Sequence, residues 1–262
     1  MNLNLKQHKD TQLFIILGGF FIANAIVAEM IGGKIFALEA TLGLQPINWN
    51  LFGQTGSLQL SAGVVNWPIV FIMTDIINEY FGGRGVRLLT NLTIVLITYS
   101  FLIIFAAMNL APAEFWRSTN VANGVPDMQL AFSAIFGQGL WIILGSLTAF
   151  LFGQVLDVFI FHKIKQVTGE KYIWLRSTGS TLFSQLIDSF LVLYIAFVLG
   201  PQHWSMSLFL AVGTVNYLYK SGMAVLLTPV IYIVHEGIER YLGKELAEKM
   251  RAKAALGTKD VA

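Results

Sequence analysis

Two heptapeptides in this chain echo one another: Leu151-Phe152-Gly153-Gln154-Val155-Leu156-Asp157 and, thirty-one residues later, Leu182-Phe183-Ser184-Gln185-Leu186-Ile187-Asp188. Each sets a Gln and an Asp three residues apart within a long apolar run. Residues three apart share a helix face. An Asp at the centre of a membrane-spanning helix costs roughly 2.5 to 3.5 kcal/mol on insertion scales. A cost met twice implies that both pairs face a water-filled cavity or a ligand, where carboxylates and carboxamides can hydrogen-bond, and not lipid.

Other polar residues join them at helical spacing. Asp75, Asn78 and Glu79 share a face at i, i+3 and i+4. Ser177, Thr181, Ser184, Gln185 and Asp188 form a second face, with Arg176 at its cytoplasmic entrance. Asp188 is expected near the midplane and Asp157 nearer the cytoplasm. Asn216 and Lys220, four apart, also fall near the midplane. A buried cation needs an opposite charge, so Lys220 is expected to pair with Asp188 or Asp75. Glu29 falls near the outer end of its apolar run and is expected to meet the outer headgroups. The stripe Gly145, Ala149, Gly153 offers close helix approach beside Gln154 and Asp157. The bland alternatives are packing, helix–helix hydrogen bonds and helix ends in headgroups.

The substrate-binding set is therefore Asp75, Asn78, Glu79, Gln154, Asp157, Arg176, Gln185, Asp188, Asn216 and Lys220. Carboxylates, amides and one cation suit a planar solute rich in donors with some acceptors, such as a purine. The two echoed pairs should then form two walls of one cavity.

These residues must be positioned by membrane helices. The chain has 262 residues, 55% hydrophobic and 12% charged, about half the charge of a soluble domain. The expected architecture is an all-α membrane protein, one domain of six spanning helices. They run approximately Leu13–Ile31, Val64–Phe81, Leu88–Leu110, Ile135–Phe161, Ser180–Leu199 and Ser207–Val234, each near the length a ~30 Å hydrocarbon core demands. Pro229 is expected to kink the last. Glu236–Met250 places Ile238, Tyr241, Leu242 and Leu246 on one side, which reads as a short amphipathic helix at the cytoplasmic interface. The outer loops, Gly32–Gly63 and Ala111–Ser133, are expected to hold turns and short surface helices. Of the 17 Lys and Arg, 14 fall on one side and 2 on the other, which sets both termini in the cytoplasm.

Several functions are excluded or demoted. The net charge of +2 does not indicate a nucleic-acid partner. With no cysteine there is no disulfide, thiolate metal site or cysteine nucleophile. His8, His162, His203 and His235 fall outside the spans or at their ends, which disfavours a histidine metal site or a catalytic dyad within the membrane. No metal, cofactor or catalytic residue is expected. Paired aspartates leave an intramembrane aspartyl-type enzyme as the remote alternative. The nearer alternative is a substrate-binding subunit energised by a separate complex; such subunits dock through small residues on the first helix, and Gly18, Gly19 and Ala23 form no clean stripe. A homodimer is left open.

Asp75-Ile76-Ile77-Asn78-Glu79-Tyr80-Phe81-Gly82, the Gln154/Asp157 segment, and Arg176-Ser177 followed by Ser184-Gln185-Leu186-Ile187-Asp188 resemble the queuosine precursor transporter family, also called the vitamin uptake transporter family. The resemblance covers most of the chain, with the motifs in the family's order. It implies six helices in the bacterial inner membrane and import of a 7-deazaguanine, in its 7-cyano or 7-aminomethyl form, for the modification of tRNA.

Overall fold

The computed structural model describes residues 8–137, 139–169 and 171–256. Lys6 and Lys259, both part of the charge asymmetry, lie outside them. The chain opens with α1 (Lys9–Ile31), followed by an outer arm of β1 (Ile35–Ala37), α2 (Leu38–Thr41), β2 (Trp49–Leu51), β3 (Gln54–Gly56) and β4 (Gln59–Ser61). Next come α3 (Trp67–Met108), α4 (Glu114–Arg117), α5 (Met128–Phe136), α6 (Leu140–Thr168) and α7 (Ile173–Leu193), which ends in a π-helical turn, Tyr194–Leu199. Then follow α8 (Met206–Leu226), α9 (Thr228–Leu242) and α10 (Lys244–Leu256). Among the described residues, four helical stretches are long and apolar enough to cross a bilayer, or five with α8 and α9 taken as one bent span. The chain is a multi-pass, all-α membrane protein.

That count treats α3 as one stretch, yet α3 doubles back. Gly82 has φ 70° and ψ 179°, outside helical space. A Cβ on Gly85 would lie 3.6 Å from Ile77 Cγ2, whereas eight residues of continuous helix span about 12 Å. Contacts with α1 trace the same reversal. Gly63, before the first half, abuts Ala28, and Phe81 at its far end packs on Phe14, ring centroids 4.9 Å apart and tilted by 58°. Leu89 of the second half then packs on Gly18, and Ile97 and Phe101 line a small cavity with Glu29. Glycine is required at the corner, because this backbone region is essentially closed to other residues. The six-residue loop expected at 82–87 is thus a one-residue break.

Other boundaries move as well. α6 starts at Leu140, not Ile135, since 128–136 forms the separate α5 capped by Asp127. It continues to Thr168, and α7 begins at Ile173. The expected 162–176 loop shrinks to a few residues, and Lys165 and Arg176 become helical. Hydropathy ends a helix where charge begins; here the charges are paired inside the bundle, so the helices continue. α6 and α7 pack antiparallel along the small-residue stripe, where a Cβ on Gly145 would lie 2.9 Å from Val192 O and one on Gly153 3.8 Å from Asp188 Cβ.

The last expected span breaks at Leu227, where α8 and α9 bend by 42° beside Pro229. The helix expected at 236–250 is divided at Gly243, φ 86°. α10 folds against the α3 reversal, burying Ala247 and Ala254, with Ala254 O 3.0 Å from where a Gly82 Cβ would sit. Arg251 of α10 donates to Glu239 Oε1 at 2.6 Å on α9, and Tyr80 meets His235 Nδ1 at 2.9 Å. This helical pair therefore closes one end of the bundle.

The first outer loop is more ordered than turns and surface helices. β1 pairs with β4 and β2 with β3, both antiparallel, as two nested ladders of one hairpin arm. Phe52 and Gly53 at its tip have φ 51° and 75°, the sign that two-residue hairpin turns require. Gln54 Nε2 reaches Ser207 Oγ at 3.2 Å, tying the arm to the start of α8.

Candidate functional site

The first half of α3 (67–81) brings Thr74, Asp75, Asn78 and Glu79 against α6 and α7. Asp75, Asn78, Glu79, Gln154, Asp157, Arg176 and Gln185 are each at most 4% exposed. Seven strongly polar side chains at such depth survive only if charges are paired and polar atoms bonded.

Part of the set is paired. Glu79 bridges two cations: Arg176 Nη2 at 2.8 Å from Oε1 and Lys165 Nζ at 3.1 Å from Oε2. Arg176 Nη1 also donates to Gly169 O at 3.0 Å, fixing the α6–α7 connection. Both Glu79 oxygens are engaged, so this triad is an anchor for three elements. Lys165 falls beyond the apolar run that ends at Phe161, so hydropathy does not place it on the helix; its register with the helix face, once α6 is extended to Thr168, is the available signal. Deeper in the bundle Lys220 meets Asp188 at 2.5 Å, one of the two partners its position allowed. Ser177 donates to Asp75 Oδ2, Ser184 to Asp157 Oδ1 at 3.3 Å, and Thr74 to Gln154 Oε1 at 3.1 Å.

The rest is unpaired. Asp75 Oδ1, Asp157 Oδ2, both polar atoms of Asn78, Gln154 Nε2 and Gln185 Nε2 are buried without a hydrogen-bond partner among the described residues. An unsatisfied buried group costs about 1–3 kcal/mol. Six such atoms on neighbouring helices therefore mark places where a ligand or water completes the bonding. The set combines acceptors with donors.

A central cavity lies beside them, lined on its polar side by Asp75, Ser177, Gln185 and Lys220. Trp67 and Phe71 form an aromatic wall, with Trp67 held 5.3 Å from Phe150. The wall escaped the sequence reading because aromatics are common throughout the chain and none stands out by spacing. The cavity measures about 20 Å³, room for about one water. In this conformation it is closed to anything as large as an aromatic ring.

The echoed pairs do not share this cavity. Gln185 lines it, whereas Gln154 lines a second cavity of about 250 Å³ between the second half of α3 (83–108) and α6. Asn216 turns away, donating Nδ2 to Val212 O at 3.1 Å on its own helix. Glu29, expected at the headgroups, is buried and accepts from Ser146 Oγ at 2.8 Å. Among the described residues no group of three or more His, Cys, Asp or Glu is placed to hold a metal.

Comparison with known proteins now bears on the site. The family described as "Putative vitamin uptake transporter" matches residues 61–234, which include Asp75, Asn78, Glu79, Gln154, Asp157, Arg176 and Gln185. The chain is 33% identical over 184 residues to "Probable queuosine precursor transporter" of Bacillus subtilis (strain 168), covering 70% of this chain and 72% of that protein. It is 26% identical over 210 residues to "Queuosine precursor transporter" of Escherichia coli (strain K12), covering 73% and 78%. It is 25% identical over 196 residues to "Probable queuosine precursor transporter" of Haemophilus influenzae, covering 72% and 74%. No solved structure matches. The chain belongs to the queuosine precursor transporter family, also called the vitamin uptake transporter family, and is a transporter and not an enzyme.

Proposed function

We propose that this protein imports a queuosine precursor of the 7-deazaguanine type across the bacterial inner membrane. The observation that carries the reading is the set of five unpartnered buried atoms on Asp75, Asn78, Asp157 and Gln185. A guanine-like edge offers several N–H donors and a ring carbonyl. Asp75 Oδ1 and Asp157 Oδ2 accept from the N–H groups; a carboxamide such as Gln185 donates to the carbonyl. Trp67 and Phe71 supply flat faces for the ring.

The Lys220–Asp188 pair holds its own charges while the site is empty. Substrate competes with that pair, so affinity measures an exchange of bonds and not a sum of contacts. Opening the 20 Å³ cavity to admit a ring needs a relative movement of helices, and the bend at Leu227 beside Pro229 is the joint that permits it.

The reading includes six spans, with both halves of α3 counted and α8–α9 taken as one, and both termini cytoplasmic as the 14-to-2 asymmetry of Lys and Arg directs. The test is uptake of labelled 7-cyano- and 7-aminomethyl-7-deazaguanine by cells that cannot make either and lack any separate energising complex. Accumulation that depends on this chain, for at least one of the two, is the expected result. Absence of both sinks the proposed substrate.

A further inference from the structure

The 250 Å³ cleft between the second half of α3 and α6 has a chemistry opposite to that of the central site. Its lining among the described residues contains no carboxylate. Arg87 and Lys163 stand at one end, both exposed. Lys163 Nζ lies 5.6 Å over the Phe159 ring, which turns it back over the mouth. Arg87 has no ion-pair partner among the described residues. Both cations sit at the α3 reversal, the end that the charge asymmetry assigns to the cytoplasm.

The mouth faces outward, because Val155 and Phe159, one turn apart on its edge, are 62% and 57% exposed. In a bilayer it opens onto acyl chains. Val86, Leu151 and Val158 continue the apolar wall inward. From Lys163 to Leu151 the α6 edge runs about 18 Å, the reach of a phosphate, a glycerol and the upper part of a chain.

The floor supplies the second observation. Gln154 Nε2, Thr90 Oγ1 and His162 Nε2 are buried there without a hydrogen-bond partner. The carboxamide nitrogen only donates, and the hydroxyl can donate. A guanine edge needs strong acceptors, and this cleft holds no carboxylate. A phosphodiester with ester carbonyls presents acceptors only, together with a negative charge.

We propose that this cleft is a binding site for an anionic phospholipid of the cytoplasmic leaflet, its phosphate between Arg87 and Lys163, its ester oxygens toward Thr90 and Gln154, and a chain along Leu151 and Val155. Basic pockets between membrane helices on that side suit such headgroups. Occupancy also braces the transport machinery, because Gln154 is bonded to Thr74 on the first half of α3.

The experiment uses the full chain, purified in neutral detergent, with native mass spectrometry and thermal unfolding. Dioctanoyl phosphatidylglycerol is expected to bind as one retained adduct and to raise Tm. Phosphatidylcholine of the same chain length should bind at least fivefold more weakly, and glycerol 3-phosphate should do nothing. The double substitution Arg87→Gln and Lys163→Gln lies on exposed side chains and should weaken phosphatidylglycerol binding about thirtyfold. Val155→Trp, which fills the mouth, should abolish the adduct while leaving the lipid-free Tm unchanged. Equal binding of the two lipids, no effect of the double substitution, or full stabilisation by glycerol 3-phosphate overturns the proposal. So does a disulfide-linked dimer formed in membranes by Val155→Cys in this otherwise cysteine-free chain, since a second copy would then occupy the cleft.

Discussion

The buried polar residues divide into two groups that sequence spacing does not separate. Around Glu79 both carboxylate oxygens are engaged: two cations share one carboxylate, at 2.8 and 3.1 Å, all three side chains nearly inaccessible. Around Asp75, Asp157 and Gln185 bonding capacity is left over. The first arrangement holds α3, α6 and α7 together at one end of the bundle. The second leaves donors and acceptors unfilled beside a cavity. In a low-dielectric interior a satisfied network adds rigidity and an unsatisfied one invites a ligand. One helix half, 67–81, therefore carries an anchor at Glu79 and binding capacity one turn away at Asp75.

The largest expected effects test that division directly. Glu79→Gln removes the shared anion and strands Arg176 and Lys165, a loss of about 3–5 kcal/mol typical of a broken buried pair. The protein should fail to accumulate in the membrane. Asp75→Asn keeps shape and loses an acceptor and a charge, so the protein should reach the membrane at wild-type levels while uptake falls at least a hundredfold. Immunoblots of membrane fractions alongside initial uptake rates separate the two outcomes. If Asp75→Asn transports normally, or Glu79→Gln is as abundant as wild type, anchor and site have been exchanged.

The Lys220–Asp188 pair lies between these extremes. Its side chains are 11% and 17% exposed, and Lys220 lines the central cavity. Lys220→Met and Asp188→Asn should each abolish uptake. In thermal unfolding of the purified protein the double substitution should cost less than the two single costs added, with a coupling of about 1–3 kcal/mol. Strict additivity would mean that the 2.5 Å contact does not hold in the membrane.

What could be read in advance follows from what periodicity encodes. The polar face Ser177, Thr181, Ser184, Gln185, Asp188 was legible because membrane helices penalise polar residues, so any regular stripe of them is informative. The stripe Gly145, Ala149, Gly153 was legible for the matching reason in packing. Periodicity gives a direction around one helix axis but not the rotation of that helix against its neighbours. That is why Gln154 and Gln185, identical in local pattern, look into different cavities. The extent of α6 was misjudged because Lys165 carries a charge whose partner is 86 residues away, beyond any local window. The nested ladders of the outer arm rest on pairs such as Ile35 with Ser61, equally invisible to a local reading.

Gly82 sharpens the comparison from the backbone side. It sets the antiparallel course of α3 and so decides which face Asp75 and Glu79 present. Gly82→Ala forces a Cβ into a glycine-only region and to 3.0 Å from Ala254 O, an expected cost of about 1–3 kcal/mol. Tm should fall, while uptake per folded molecule should change less than for Asp75→Asn. An unchanged Tm would show that the reversal tolerates a side chain and is less constrained than its dihedrals imply.

The smallest expected effect comes from an ion pair of the outer loops. Arg117 Nη2 contacts Asp127 Oδ2 at 2.5 Å, with Arg117 half exposed, and the guanidinium bond holds the Asp127 carboxyl below its ordinary range. Asp127 also caps α5 through Gln129 N at 2.8 Å. A carboxyl depressed in the folded state stabilises at pH values above its unfolded pKa, near 3.9, and loses that contribution as pH falls through the folded value. Thermal unfolding should therefore show no effect of this pair's titration between pH 7 and 5, and a decline only below about 4. Arg117→Ala should make that decline smaller, because the folded carboxyl is then depressed less, and should leave uptake at neutral pH nearly unchanged, since an exposed pair is screened by solvent. In Glu79→Gln, by contrast, the loss should persist at every pH between 5 and 8, because no titration in that range restores the missing anion. If Arg117→Ala were to abolish uptake at neutral pH, the outer loop would belong to the transport site, and the line drawn between anchoring and binding charges would have to run outside the bundle.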